Sequence, residues 1–318
     1  MEIIYYRKLL YNTRVEKKRI LVYARALRVN QWIKNFIVFT PVVFSGKLFV
    51  LSIFLETLVA FLIFCLLSST SYLLNDIIDY PFDIKHPTKK FRPIAAGQIT
   101  IQQATFLVFI LTIISLIISL FVSIPFFFLA LLFILLHFFY SLFLKKFPTV
   151  DIFSISFSFM LRATAGEVAS GYHIPIWLLL TIFFISLFMA TIKRHAELVT
   201  HGRETRESLY RYKEHFLDFL TNTFATSTII AYATYTYVEQ IPQAKIFSFN
   251  GPIFPPLEVR KWMMITVPLV VYGVARYAQL LYERDEGERP EKLITQDKPL
   301  VATIVLWTII VVLLIYVL

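Results

Sequence analysis

Asn75-Asp76-Ile77-Ile78-Asp79-Tyr80-Pro81-Phe82-Asp83 closes a long apolar run, and Ile84-Lys85-His86-Pro87-Thr88-Lys89-Lys90-Phe91-Arg92-Pro93 follows it at once. On one helix face, Asn75, Asp79 and Asp83 would stack at i, i+4 and i+8, with Asp76 three residues from Asp79. Oxygen ligands grouped in this way suit Mg²⁺, which takes one or two carboxylates and shares the rest of its shell with water and substrate phosphates. Lys85, Lys89, Lys90 and Arg92 supply cations of the kind that hold the phosphates themselves. The stretch therefore predicts a metal–diphosphate site at a membrane surface, with Asp76, Asp79 and Asp83 as its working carboxylates and Asn75 in the ligand set. Pro81 disfavours helix at Tyr80 and removes a backbone donor, so the helix should kink or end near Asp79, with Asp83 approaching from a turn. A merely solvated loop is the weaker reading, because ionisable groups beside a membrane span are costly unless paired or functional.

The composition agrees with a membrane setting. The 318 residues are 58% hydrophobic and only 16% charged, with a mean hydropathy of +0.68, which excludes an ordinary soluble domain. Apolar runs at Ile33–Ser45, Leu51–Leu74, Ile101–Val122, Pro125–Leu144, Val150–Ala169, Pro175–Ile192, Phe216–Val238, Trp262–Tyr282 and Leu300–Leu318 predict an all-α polytopic protein of about nine spans. Residues 1–32 read as a basic, interfacial lead-in and residues 33–318 as a single transmembrane catalytic domain. No short apolar core precedes a small-residue cleavage site, so no signal peptide is expected. The single cysteine, Cys65, excludes an intrachain disulfide. The net charge of +10 fits cytoplasmic basic loops better than nucleic-acid binding.

The loops fix the orientation. Lys85 to Arg92, Lys145 and Lys146, the stretch from Lys193 to Lys213, and Arg284 to Lys298 fall on one side together with the N-terminus. The intervening connections hold few cations. The positive-inside rule puts the first set, and with it the acidic stretch, in the cytoplasm of a cell-membrane protein. Lys193-Arg194-His195-Ala196-Glu197 ends the sixth span as the acidic stretch ends the second. A duplication of this kind would set two polar clusters across one central cavity.

Other polar residues are candidates on weaker grounds. Lys34, beside Trp32 and Asn35, reads as a snorkelling interface lysine or a phosphate ligand. Arg162, inside the fifth span, is expensive unless it meets a polar cavity or an acid, and Glu167 is too far along the helix to be its natural partner. Tyr140 could donate to a phosphate or serve as an interface aromatic. Asp151 reads as a helix cap, His86 and His195 as hydrogen-bonded loop residues. Residues 203–213, with Tyr210 and Tyr212, read as a lid or a solvated loop.

The pattern Asn-Asp-x-x-Asp-x-x-x-Asp after the second of about nine helices resembles the first aspartate-rich motif of the UbiA superfamily of intramembrane prenyltransferases. Arg28-Val-Asn-Gln-Trp-Ile-Lys-Asn35, His86-Pro-Thr-Lys-Lys-Phe-Arg-Pro-Ile-Ala-Ala-Gly97 and Lys193-Arg194-His-Ala-Glu197 are similar to the decaprenyl-phosphate phosphoribosyltransferase branch. That resemblance implies a UbiA-like bundle around a polar cavity and a Mg²⁺-dependent transfer of 5-phosphoribose from phosphoribosyl diphosphate (PRPP) to a polyprenyl phosphate, with inversion at the anomeric carbon. It also implies a role in cell-envelope biosynthesis. Superfamily members that ionise prenyl diphosphates usually carry a second aspartate pair, where this chain has Lys193, Arg194 and Glu197. A cationic second cluster suits the additional phosphates of PRPP and its lipid acceptor. Lys34, Lys85, Lys89, Lys90, Arg92, Tyr140, Arg162, Glu167, Lys193 and Arg194 are then the substrate-binding candidates, and Glu197 is a metal ligand or a salt-bridge partner of Lys193. Prenyl transfer to an aromatic acceptor is the alternative within the superfamily, and an ion-coupled transporter or lipid-binding protein the alternative outside it. Beyond PRPP, the lipid phosphate and membrane lipids no partner is implied, and self-association is left open.

Overall fold

The computed structural model describes residues 20–86, 88–201, 213–239, 262–284 and 296–317. Most of the basic lead-in, the loop with Tyr210 and Tyr212, and the mixed-charge stretch after Arg284 lie outside the described residues. Every regular element among the described residues is a helix or a helical turn. The eight long α-helices are α1 (Leu51–Ile78), α2 (Ile101–Val122), α3 (Ile124–Leu142), α4 (Val150–Ser170), α5 (Ile176–His201), α6 (Glu214–Val238), α7 (Val267–Arg284) and α8 (Lys298–Tyr316). Among the described residues, six helices are long and apolar enough to cross a bilayer; the qualifying stretches are α1, α2, α3, Ile176–Val199 of α5, Met263–Leu280 and α8. The expected second span is longer than its hydropathy suggested, because α1 carries its backbone bonds through Asn75, Asp76 and Ile78. The expected first span is instead a 3₁₀ helix, Val29–Phe39, running into a short α-turn, Thr40–Phe44. Helices α4 and α6 have the length of spans but a more polar make-up, rich in Ser in α4 and in Thr and Tyr in α6.

The chain forms two compact units, one within residues 1–36 and 61–142 and the other within residues 37–60 and 143–318. In the first, Phe106, Phe109, Phe121, Phe128 and Leu132 stand exposed on α2 and α3, the arrangement expected where hydrocarbon replaces water as solvent. Thr100 starts α2 with a capping box: the Gln103 N–H donates to its Oγ1 at 3.2 Å, and the Thr100 N–H donates to Gln103 Oε1 at 3.1 Å. A small core of Ala26, Leu73, Ile94, Ile99 and Ala104 ties the loop after the acidic stretch to α1 and to the start of α2.

In the second unit, α4, α5 and α6 pack consecutively, and Ile152, Leu187, Phe188, Leu217 and Leu280 are among the buried residues of their core. Gly171, at φ 73°, ends α4 in the left-handed conformation that glycine adopts without a Cβ penalty. Arg276 of α7 grips Asp297 through both carboxylate oxygens, at 3.2 and 2.8 Å. Asp297 in turn accepts the Leu300 N–H at the start of α8, so a charge on a membrane-spanning stretch is neutralised and used as a cap. Many Ser and Thr hydroxyls along the helices return to carbonyls one turn back, as Thr191 does to Leu187 at 2.8 Å, which satisfies those donors in an apolar surrounding.

Candidate active site

Helix α1 ends at Ile78, Asp79 breaks the regular pattern, and Pro81 sits in the first turn of a short helical segment, Tyr80–Asp83. The predicted break therefore falls at Asp79. The Asp79 N–H still donates to the Asn75 carbonyl and the Asp83 N–H to the Asp79 carbonyl, each at 2.9 Å, so the helical phase survives the proline. The side chains nevertheless sort into two pairs. Asn75 Nδ2 donates to Asp79 Oδ2 at 2.9 Å. Asp76 and Asp83 both bind Arg92, whose Nη1 is 3.0 Å from Asp76 Oδ1 and 2.6 Å from Asp83 Oδ2. Arg28 Nη2 adds a second guanidinium contact to Asp76 Oδ1, at 2.5 Å.

Burial explains why these cations are needed. Asp76 and Asp83 are each only 3% exposed, and an ionised carboxylate withdrawn from water is costly unless a charge-assisted hydrogen bond replaces its hydration. At Asp83, burial raises the carboxyl above the ordinary aspartate range; Arg92 opposes this by charge and hydrogen bond, and the Asp76 charge adds to the rise.

The Arg28–Asn35 segment is held in place along α1. Trp32 Nε1 donates to Ser69 Oγ at 3.0 Å, Ser69 donates to the Leu27 carbonyl at 2.8 Å, and Ser68 donates to Asn35 Oδ1 at 3.1 Å. Trp32 and Asn35 thus act as fasteners that bring Arg28 to Asp76. Arg28 itself has φ +50°, uncommon for a residue with a Cβ, and its guanidinium lies 4.8 Å above the Tyr72 ring. Neither Arg28 as an ion-pair partner nor Tyr72 as its stacking platform is signalled by spacing, since their link to the acidic stretch is tertiary.

The remaining candidates around this cluster are less deeply placed. Lys85 and Lys90 are exposed, and Lys89 and Lys34 are half-buried. The Lys90 ammonium lies 5.2 Å from the Phe91 ring centre. His86 Nδ1 accepts the Thr88 and Lys89 N–H groups, both at 3.3 Å, and so shapes the turn that presents the lysines. Tyr140 is half-buried near the end of α3, with its ring 6.5 Å from that of His137.

The second cluster differs from its sequence reading. Arg194 is buried, its Nε 2.6 Å from Asp151 Oδ2 and its Nη1 2.5 Å from Glu197 Oε2. Asp151 is fully buried, and the N-cap position before α4 is Thr149, so Asp151 is an ion-pair partner of Arg194. Glu197 binds Arg194 at i, i+3, where the spacing had offered Lys193 at i, i+4. Arg194 is therefore committed to two carboxylates, and the net positive charge expected of this cluster is largely cancelled within it. Arg162 Nη1 donates to the Ser158 carbonyl and hydroxyl, at 2.9 and 3.0 Å, which pays part of its burial cost within its own helix. Glu167 pairs with His173 at 2.6 Å near the far end of α4, about 24 Å along the helix from Asp151, and does not join the Arg194 cluster.

Because Asp151 and Arg194 are both almost fully buried, removing Asp151 leaves the Arg194 Nε without its carboxylate and only Glu197 as counter-charge. Asp151→Ala is expected to destabilise the protein by about 3 kcal/mol, read as a lowered midpoint of thermal unfolding in detergent. An unchanged midpoint would show that the pair contributes nothing to the fold.

The donor set around Asp76 suits a divalent cation. Asp76 and Asp83 approach one cationic atom, Arg92 Nη1, from two sides. Asn75 and Asp79 add oxygen donors on the adjoining turn. Among the described residues no three His, Cys, Asp or Glu side chains converge as a closed metal cage, and Mg²⁺ does not require one, because it keeps waters and substrate oxygens in its shell.

A model of the UbiA prenyltransferase family matches residues 38–296, and the chain belongs to that family of multi-pass integral membrane proteins. It is 32% identical over 301 residues to the decaprenyl-phosphate phosphoribosyltransferase of Corynebacterium glutamicum, covering 92% of this chain and 86% of the relative. It is also 32% identical over 290 residues to the decaprenyl-phosphate phosphoribosyltransferase of Mycolicibacterium smegmatis, covering 89% of each. The fold is similar to that of a UbiA homologue from Archaeoglobus fulgidus bound to GPP and Mg²⁺, with a TM-score of 0.67 at 18% identity over 92% of this chain and 99% of the other.

Proposed function

We propose that this protein transfers 5-phosphoribose from PRPP to a polyprenyl phosphate, with release of diphosphate. The observation that carries the reading is the likeness to two phosphoribosyltransferases along about nine-tenths of the chain. The local chemistry supports it: buried carboxylates are interleaved with guanidinium groups, so one site offers ligands for a metal and for phosphate. Asp76, Asp79 and Asp83, with Asn75, would hold Mg²⁺, which when bound supplies charge neutralisation for the departing diphosphate. Arg92, Lys89, Lys90, Lys85 and Lys34 would orient the phosphates. Tyr140, Arg162 and Lys193 are further candidates for the substrate's remaining polar groups. Arg194 and Glu197 support the second cluster from within; Glu197 is its more exposed carboxylate.

Positive charge develops at the ribose anomeric carbon as the diphosphate leaves, and the lipid phosphate oxygen attacks from the opposite face. Inversion follows. The acceptor is already an anion at neutral pH, so no protein side chain has to remove a proton. About nine crossings with a cytoplasmic N-terminus would put the acidic stretch on the cytoplasmic side, where a multiply charged, membrane-impermeant substrate such as PRPP can reach it.

Protein purified in detergent, given Mg²⁺, a polyprenyl phosphate and PRPP labelled in its 5-phosphate, is expected to move label into the organic phase. Retention of all label in water, with turnover of geranyl diphosphate and an aromatic acid in the same preparation, would replace this reading by prenyl transfer.

A further inference from the structure

Arg92 and Arg28 hold the oxygen that a metal would need. Asp76 Oδ1 receives both guanidinium groups, and Arg92 spans from it to Asp83 Oδ2. The arginine side chains are 26% and 25% exposed, and the Asp76 and Asp83 side chains 3% and 4%. The carboxylates cannot draw their counter-charge from water, whereas the guanidinium groups have room to move. A divalent ion and Arg92 cannot both occupy the point between Asp76 and Asp83.

Charge balance then decides the order of events. Asp76 and Asp83 are faced by two guanidinium groups, and Asp79 accepts from Asn75. A divalent ion entering alone would leave the cluster with excess positive charge in a half-buried place, and the displaced arginines without acceptors. A diphosphate reverses both penalties. Its oxygens match the guanidinium fork, and its charge offsets the ion. Arg28 is suited to such a change, because its guanidinium carbon lies 4.8 Å from the Tyr72 ring centre, a cation–π contact that can persist while its N–H donors change partner.

We propose that Arg92 and Arg28 are internal counter-cations of Asp76 and Asp83 and yield these carboxylates to a divalent metal only when a diphosphate takes up their guanidinium groups. Metal and diphosphate therefore enter together, and metal alone binds poorly. This rests on reading the cluster as a metal–diphosphate site, but not on which group the diphosphate carries.

The test is binding of Mn²⁺ to the full chain in detergent, read by electron paramagnetic resonance of the free ion, with and without inorganic diphosphate. Wild-type protein is expected to bind Mn²⁺ alone weakly and Mn²⁺–diphosphate at least about tenfold more tightly. Arg92→Gln should bind Mn²⁺ alone about tenfold more tightly than wild type and lose most of the gain from diphosphate. Arg28→Gln, which disturbs only Asp76, should shift in the same direction by a smaller factor and decides the matter if Arg92→Gln does not fold. Arg25→Gln removes an equal charge from an exposed position three residues before Arg28 and should change Mn²⁺ binding by less than about twofold.

If Mn²⁺ alone binds no more tightly to Arg92→Gln and Arg28→Gln than to wild type, or if Arg25→Gln tightens it equally, the handover is wrong. A handover seen without any transfer from PRPP would instead overturn the substrate reading and leave the handover standing.

Discussion

Asp76→Asn is expected to lower phosphoribosyl transfer by roughly 1,000-fold or more and to leave a folded, monodisperse protein. Asn preserves the volume of Asp76 but removes the charge that binds a metal and that receives Arg28 and Arg92. The guanidinium groups left behind are partly exposed, so water can solvate them and the fold survives. The loss therefore falls on chemistry and not on stability. The rate of product formation and the thermal midpoint, measured on one preparation, separate the two. Near-wild-type transfer by Asp76→Asn would remove this carboxylate from the site.

Gly166→Ala is expected to cost more than about 4 kcal/mol, enough to prevent accumulation of folded protein. A Cβ on Gly166 would stand 1.9 Å from the Val38 carbonyl oxygen and 2.8 Å from its carbon. Both atoms are backbone, so no rotamer change relieves the clash, and Val38 lies in the 3₁₀ segment that continues into the turn packed on α4. The helix and that segment would have to separate, losing contacts on both sides. Ala163 and Ala165, also fully buried on α4, already carry a Cβ and bound the space that remains. Folded yield in detergent and its unfolding midpoint report the effect. A Gly166→Ala protein with wild-type stability would show that the close approach to Val38 is not part of the fold.

The helices were legible where the bilayer dictates the sequence. Ile101–Val122 has the bounds its apolar run predicts, because hydrocarbon admits little else between a capping Thr100 and the polar Ser123. The break at Asp79 was legible from Pro81, whose ring restricts the residue before it. The first span was not, since a 3₁₀ path from Val29 to Phe39 depends on Trp32 and Asn35 bonding to α1, which local propensity does not encode.

The acidic site was legible as a set of ligands and not as a set of partners. Spacing placed Asn75, Asp79 and Asp83 on one face, but Arg92 draws Asp83 toward Asp76. Likewise spacing made Lys193 the neighbour of Glu197, but it did not show that Arg194 binds Glu197 while also meeting a buried Asp151 from another helix. In the first cluster a cation from beyond the helix, and in the second an acid from another helix, completes the pairing.

In the proposed reaction the bond broken joins the ribose anomeric carbon to diphosphate, and the lipid phosphate receives the ribose. PRPP labelled with one isotope in the 5-phosphate and another in the terminal phosphate of its diphosphate tests this in one reaction with Mg²⁺ and a polyprenyl phosphate. The 5-phosphate label is expected to move into the lipid phase while the terminal label is released to water as diphosphate, in equal amounts. Both labels remaining together in water, while labelled geranyl diphosphate is consumed under the same conditions, would contradict it.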